Sequence, residues 1–299
     1  MEPRQKPLEL VTLELLSHRM ALPLNEQQRL TKLEKGYQGE KKFDGMIEIL
    51  KNDAIVLNDL WFEINNTKFQ IDSLVILQNM IYPFEVKNYE GDFYVEVDRW
   101  FTMSKREISS PQQQVNRSTI LLRQLLQQHG LHFQIQPYLV FVNDAFTLYQ
   151  APKDPTIIFP TQLNRFLEKL HNEPSALGAR HKKLAEKLVE LRTSEQPRAY
   201  EYTYDQLEKG IVCAECGGLL VRFNLKKLAC NKCNHEVHVE TAVRSNIDEL
   251  QILFPDKKLT VASVYDWCGG YVSQRTINEV LRKNFRLIYK GRASYYIKQ

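Results

Sequence analysis

Between Gln70 and Lys87 the chain reads QIDSLVIL, then Gln78-Asn79, then MIYPFEVK. Two apolar runs rich in β-branched residues flank a polar pair, which is the pattern of a hairpin. With a two-residue loop Leu77 pairs with Met80, and paired positions then keep a constant sum. Asp72 falls opposite Glu85, and Gln70 opposite Lys87. Alternation along a strand puts all four side chains on one face, at the end of the hairpin away from its turn. Facing carboxylates repel each other and call for a cation between them. An all-oxygen donor set suits Mg²⁺, which keeps several of its own waters. The neighbouring lysine can stabilise a developing anion or help to activate a water on the metal. An acid and a lysine two apart on a strand are ordinarily just a solvated face. Here four polar groups meet at one end of otherwise apolar strands, and that coincidence is what points to chemistry.

The elements that must position these residues are legible as patterns. Apolar positions from Leu33 to Leu50 recur at helical spacing, so a helix is expected over about 30–50, with Gly36 and Gly39 weakening its first turns. Strands are expected at Ala54–Leu57, Phe69–Leu77, Ile81–Lys87, Phe93–Val97 and Trp100–Met103, the last two turning at Asp98-Arg99. Pro111 can open a helix that runs to a stop at Gly130. Gln136–Val142 reads as an apolar strand. Helices follow at Gln162–His171, with Thr161 as N-cap, and at Ser175–Leu191.

A helix, several strands, a helix and a strand form an α/β order. With Gly39-Glu40 in the first helix, Gln70-Ile71-Asp72, and Phe84-Glu85-Val86-Lys87-Asn88-Tyr89 followed by Gly91, the segment from about 30 to 145 resembles the nuclease-related domain (NERD) family of the PD-(D/E)xK nucleases. Pro111 and Gln114 match as well, while Ser110 stands where the family often has Asn. The resemblance implies a restriction-endonuclease-like core, a mixed sheet flanked by helices. It implies that Asp72 and Glu85 bind Mg²⁺ or Mn²⁺ with the Val86 carbonyl. Lys87 would act on the attacking water and the scissile phosphate. Glu40 would sit at the rim, holding a metal-bound water or a second ion. Gln114 would orient Lys87 or a phosphate. The reaction implied is metal-assisted phosphodiester hydrolysis.

Cys213-Ala-Glu-Cys216 and Cys230-Asn-Lys-Cys233 are two C-x₂-C knuckles 13 residues apart. This is slightly shorter than the roughly 15–20 common between such knuckles, yet compatible with a zinc ribbon. Four thiolates complete a closed, structural Zn²⁺ site. Gly217-Gly218 permits the first turn, and His235 and His238 fit strand alternation better than ligation. Four free thiols would leave this segment almost without a core.

The last residues read helix (Thr260–Trp267), Gly269-Gly270 turn, helix (Gln274–Asn284, capped by Ser273), and a hairpin of Phe285–Tyr289 and Ala293–Ile297 around Gly291. That order resembles a winged helix-turn-helix. Gln274, Arg275, Asn278 and Arg282 would project from its second helix, with Lys290 and Arg292 at the wing tip, suited to DNA contact. Cys268, beside Trp267, reads as a core residue.

The 299 residues suggest two or three domains. The expected division is an N-terminal leader (1–30), a nuclease-like domain (31–192), a polar linker (193–210), a Cys₄ ribbon (211–245) and a winged-helix domain (246–299). A formal net charge of +4 permits a nucleic-acid partner without demanding one. Clustered cysteines, no long apolar run and no signal-peptide pattern at the N-terminus make a cytoplasmic protein with no membrane partner the expectation. The reading is a metal-dependent nuclease acting on DNA, of open oligomeric state. Its rivals are a non-catalytic DNA-binding or regulatory protein on a nuclease scaffold, and a nuclease acting on RNA.

Overall fold

Alternating apolar residues build the central sheet, and helices take the two faces that the alternation creates. The structure, a computed structural model, describes residues 4–48, 50, 52–194, 198–224, 226–291 and 293–298. It divides into two compact units, one of Met1–Pro7 and Thr31–Gln196, the other of Leu8–Leu30 and Pro197–Gln299. Among the described residues no helix is long and apolar enough to cross a membrane.

Helices α1 (Leu8–Ser17) and α2 (Leu24–Ile47) come first. Helix α2 starts before the expected Leu30 and runs unbroken through both glycines. Strands β1 (Ile55–Ile64), β2 (Thr67–Ile76) and β3 (Met80–Lys87) form an antiparallel meander. Strand β1 is longer than the expected Ala54–Leu57, because the chain stays extended past Asp59, which takes a left-handed φ of 51°. Next come β4 (Gly91–Glu96), β5 (Arg99–Thr102), β6 (Glu107–Ile108) and helix α3 (Pro111–Gln128). Strands β7 (Gln134–Ile135), β8 (Tyr138–Phe141), β9 (Phe146–Tyr149) and β10 (Ile157–Ile158) then precede α4 (Pro160–His171) and α5 (Ala179–Glu190).

The main sheet has the order β1-β2-β3-β8-β10, with β7 also beside β3. It changes from antiparallel to parallel pairing at β3, so it is mixed. Leu74, Ile76 and Ile81 pack with Leu122, Leu125 and Leu126 of α3 and Leu184 and Leu188 of α5. Val75, Tyr82, Phe84 and Val86 pack on the other face with Phe43 and Ile47 of α2 and Leu163 and Leu170 of α4. A second sheet, β6-β5-β4-β9, packs Trp100 and Phe146 against Leu139 and Phe141 of β8 in the main sheet.

Three local expectations shift, each for a backbone reason. The β4–β5 turn is Val97-Asp98, one residue early, because both take positive φ (48° and 61°) and Glu96 pairs with Arg99. A two-residue hairpin with both central residues at positive φ matches the strand twist. Pro160 takes the first position of α4, so Phe159 is the cap and Thr161 lies inside the helix. Helix α5 begins at Ala179 rather than Ser175. The Ser175 hydroxyl accepts from the Gln78 N–H and donates to the Asp53 carbonyl, and the Leu177 N–H donates to the Asp53 carboxylate.

In the second unit, β11 (Leu220–Arg222), β12 (Lys227–Cys230) and β13 (Glu236–His238) make a small antiparallel sheet. Helices α6 (Val239–Leu253), α7 (Val261–Trp267) and α8 (Gln274–Asn284) follow, then the hairpin of β14 (Phe285–Ile288) and β15 (Tyr295–Lys298). Ser273 caps α8 as its sequence position suggests, accepting from the Thr276 N–H. Helix α1, part of the expected N-terminal leader, packs on α6. Buried Arg19 holds both oxygens of Glu249 (2.5 and 2.9 Å) and the Asn246 side-chain oxygen, with its guanidinium over Trp267. The polar stretch read as a linker is fastened from Tyr200 onward. Tyr200 donates to Glu9, Tyr202 to the Leu253 carbonyl and Tyr204 to Asp266. Its tyrosines, not a repeating pattern, carry the packing, so no periodicity marked it.

Candidate active site

The hairpin register is the one a two-residue turn demands. Ser73 pairs with Phe84 and Ile76 with Ile81, and the Leu77 N–H donates to the Met80 carbonyl. The β2–β3 ladder stops at Ser73 and Phe84, one step short of Asp72 and Glu85. On its other side β2 pairs with β1 at Ser73 and at Ile71 but skips Asp72 and Asp59. Asp72 therefore sits at a gap in both ladders. Its Oδ2 accepts the Val86 N–H at 2.8 Å, so a side chain fills the place of a strand partner.

Asp72 shares the parity of Leu74, and Glu85 that of Ile81, so both belong to the sheet face that α3 covers. Each is 5 % exposed. Lys87 Nζ donates to Glu85 Oε1 at 2.5 Å and to Gln114 Oε1 of α3 at 3.0 Å. Ser110 caps α3 and Pro111 occupies its first turn, which fixes where Gln114 starts. Gln70 turns toward β1, where its amide donates to Asp59 Oδ1 at 2.9 Å.

Glu40 arrives on α2. An added Cβ at Gly39 would lie 2.4 Å from Asn88 Cβ, so only glycine lets the end of β3 approach the helix this closely. Asn88 seals the approach by donating to the Lys35 carbonyl at 2.7 Å. Glu40 is not paired with the strand acids. Its Oε2 accepts from Arg4 Nη1 at 2.8 Å. Arg4 also binds both oxygens of Asp44 (2.7 and 2.9 Å), the Asp72 carbonyl (2.7 Å) and Ser73 Oγ (3.0 Å). Arg4, Asp44, Asp59, Ser73 and Asn88 carried no mark as site residues in the sequence. Glu40 and Asp44 are four apart on one helix, a spacing that puts two acids side by side. Nothing near Arg4 indicates its destination.

The electrostatics follow from burial. Desolvation, reinforced by the Asp72 charge, pushes both Glu40 and Glu85 up to about 8. Desolvation also raises Asp72, against the pull of Lys87 and of the Val86 N–H. Burial opposes the charge of Lys87, but Glu85 and Asp72 outweigh it and hold its proton more tightly than usual. The strand carboxylates thus share one ammonium and keep only a small opening to solvent. Ionised together, their oxygens would suit a hard divalent cation.

The second unit gathers Cys213, Cys216, Cys230 and Cys233 so that their sulfurs all lie within 4.8 Å of one another. Among the described residues this is the one such cluster of three or more metal-ligating side chains. Cys216 and Cys230 sulfurs are 3.4 Å apart, and those of Cys213 and Cys233 3.8 Å. Four thiolates about 2.3 Å from one tetrahedral ion lie about 3.8 Å from each other, so the set could hold zinc. A Cβ at Gly218 would meet the Cys230 sulfur at 2.9 Å, and Gly217 needs its φ of 68°. Backbone N–H donors, that of Cys233 first, hold the Cys230 thiol down at about 6. His235 and His238 stay outside the cluster.

In the C-terminal helices Arg275 and Arg282 are exposed, Arg275 pairing with Glu279 at 3.1 Å. Asn278 is not free to project, because its oxygen accepts the Tyr296 hydroxyl at 3.1 Å. Lys290 is exposed, and Arg292 lies outside the described residues. Cys268 is buried and receives the Asn246 amide, as a core thiol does.

Residues 35–142, just over a third of the chain, match the family model of the nuclease-related domain. No curated protein and no solved structure matches the chain. The match ends before α4 and α5 and includes neither Arg4 nor the cysteine cluster.

Proposed function

We propose that the chain is a metal-dependent nuclease that hydrolyses phosphodiester bonds in DNA. One observation carries the reading: Asp72 and Glu85 are buried together on one sheet face, beside a lysine clamped between Glu85 and Gln114. A nuclease-related fold used only as a scaffold has no need of such an arrangement, since burying two carboxylates around one ammonium is costly.

Asp72, Glu85 and the Val86 carbonyl would hold Mg²⁺ or Mn²⁺, which when bound supplies Lewis-acid polarisation of a phosphoryl oxygen. Asp72 is kept in place by the Val86 N–H, so its free oxygen is presented without rotamer freedom. Lys87 keeps its proton, which makes it a cationic donor to charge developing on the phosphate rather than a base. Gln114 gives the same ammonium a second acceptor. Glu40 stands at the rim, and Gln70 braces Asp59 beside the site.

In the second unit the four cysteines would hold a structural Zn²⁺. We read α7, α8 and the β14–β15 hairpin as a winged helix. With the ribbon, it would supply the phosphate contacts that an acidic active face cannot. Exposed Arg275, Arg282 and Lys290 support this.

The test is cleavage of plasmid, linear duplex, single-stranded DNA and RNA, with and without Mg²⁺, by the wild type and Asp72→Asn. Metal-dependent DNA cleavage lost in the variant supports the reading. Cleavage confined to RNA replaces the substrate, and binding without cleavage makes the fold a scaffold.

A further inference from the structure

Arg4 lies outside the stretch that matches the nuclease-related family, yet its side chain is 2 % exposed and all three guanidinium nitrogens bond within the site. It joins Glu40 and Asp44 of α2 to the backbone of β2 at Asp72, where both strand ladders lapse. Its five bonds fall on Glu40, on both oxygens of Asp44, on the Asp72 carbonyl and on Ser73 Oγ. None falls on the Asp72 or Glu85 carboxylates. Arg4 therefore leaves the strand acids open and is no plug in their site.

Five carboxylates act on one another here: Glu40, Asp44, Asp59, Asp72 and Glu85. The side-chain cations among them are Arg4 and Lys87. Lys87 serves the strand acids, and Arg4 serves the helix acids. A planar guanidinium that grips one carboxylate with two nitrogens and a second with the third takes up acid oxygens that another cation would need.

We propose that Arg4 is the built-in second cation of this site. By occupying Glu40 and Asp44 it limits the site to one divalent ion, held by Asp72 and Glu85. Arg4 is a positioning residue in this account: it touches neither substrate nor metal but decides which acids remain for the metal. The inference rests on the metal-nuclease reading above and deepens it. The segment before α1 thereby completes a site whose other residues all come from the family-matched domain or its helix.

Counting Mn²⁺ ions tests the proposal on the full chain. Electron paramagnetic resonance of free Mn²⁺ counts the ions bound per chain, with the thiolate cluster first filled with zinc. The wild type should bind one. Arg4→Gln should bind two, and adding Glu40→Gln and Asp44→Asn to it should restore one. Arg4→Lys keeps a charge where Arg4→Gln could fail to fold. A compact ammonium does not reproduce the three-nitrogen fork on Glu40 and both oxygens of Asp44, so it too should admit the second ion, at least tenfold more weakly than the first. One ion, with an unchanged dissociation constant, in every Arg4 variant that folds would overturn the proposal. Two ions in the wild type would do so as well while leaving the nuclease reading intact. No Mn²⁺ in the wild type would remove the metal reading itself, and this inference with it.

Discussion

The Asp72 carboxylate accepts the Val86 backbone N–H at 2.8 Å, across a gap where neither neighbouring strand pairs with Asp72. A side chain thus does the work of a strand, and under the proposed function the same residue's remaining oxygen would serve a cation. The bond to Val86 and the proposed metal role reside in one carboxylate, which makes the choice of substitution decisive.

Asp72→Asn keeps an acceptor for Val86, so the protein should stay folded while cleavage falls below detection. Asp72→Ala should in addition lose about 1.5–3 kcal/mol, the range for a hydrogen bond to a charged group. Lys87→Ala should reduce kcat by about 10²–10³, as loss of a donor to transition-state charge does. Cleavage kinetics beside denaturant titration separate the two effects. Full activity in Asp72→Asn would refute the assignment.

The raised carboxyls predict how stability changes with pH. Glu40 and Glu85 rise from an ordinary 4.5 to about 8 in the fold. Between those values the native state holds protons that the unfolded chain has released, so stability falls as pH rises. Their contribution is complete below about 4.5 and gone above about 8. Without added metal, the melting temperature should drop across that window. Mg²⁺ should restore it increasingly toward high pH, since a metal takes the ionised form. Glu85→Gln should flatten the apo profile. A wild-type profile that rises through pH 6–8 (about two units above the ordinary carboxylate range) would contradict the burial argument.

Two glycines of α2 should respond oppositely to alanine. Nothing lies within 4 Å of a Cβ at Gly36, and its helical backbone suits alanine. Gly36→Ala should therefore stabilise by about 0.5–1 kcal/mol. Gly39→Ala meets Asn88 at 2.4 Å and should destabilise by about 1–3 kcal/mol, the cost of overpacking. It should also shift the end of β3 and lower activity. Thermal unfolding of the two variants decides this. Equal effects would mean that Asn88 does not hold the helix.

Purified protein should contain about one zinc per chain, released by a strong chelator. Cys216→Ser or Cys230→Ser should abolish retention and raise hydrogen exchange over residues 211–240, while exchange across β2 and β3 stays unchanged. Native disulfides among these cysteines would be incompatible with the site.

Arg275→Ala with Arg282→Ala, in the full chain, should weaken duplex binding and flatten its salt dependence. Each lost phosphate contact lowers the slope of log K against log salt by about 0.9. Arg275 is already paired with Glu279, so the two changes should act unequally, with Arg282 the larger. Unchanged affinity and slope would make this helix a protein-contact or packing element.

What the sequence determined by itself was local or periodic. The β2–β3 register followed from a two-residue turn and alternation, and with it the shared face of Asp72, Glu85 and Lys87. The cap at Ser273 and the fourfold cysteine cluster also followed from short spacings. Each depends on residues close in sequence, where backbone geometry leaves few choices. Only the tertiary structure decided the rest. Gln70 turned to Asp59 because a neighbouring strand, not the hairpin partner, stood within reach. Helix α1 joined α6 because Arg19 finds Glu249 there, 230 residues away. Arg4 crosses 68 residues to reach the Asp72 carbonyl. Long-range pairs of buried charge leave no period in a sequence, since their partners are selected by where the folded backbone leaves acids without water.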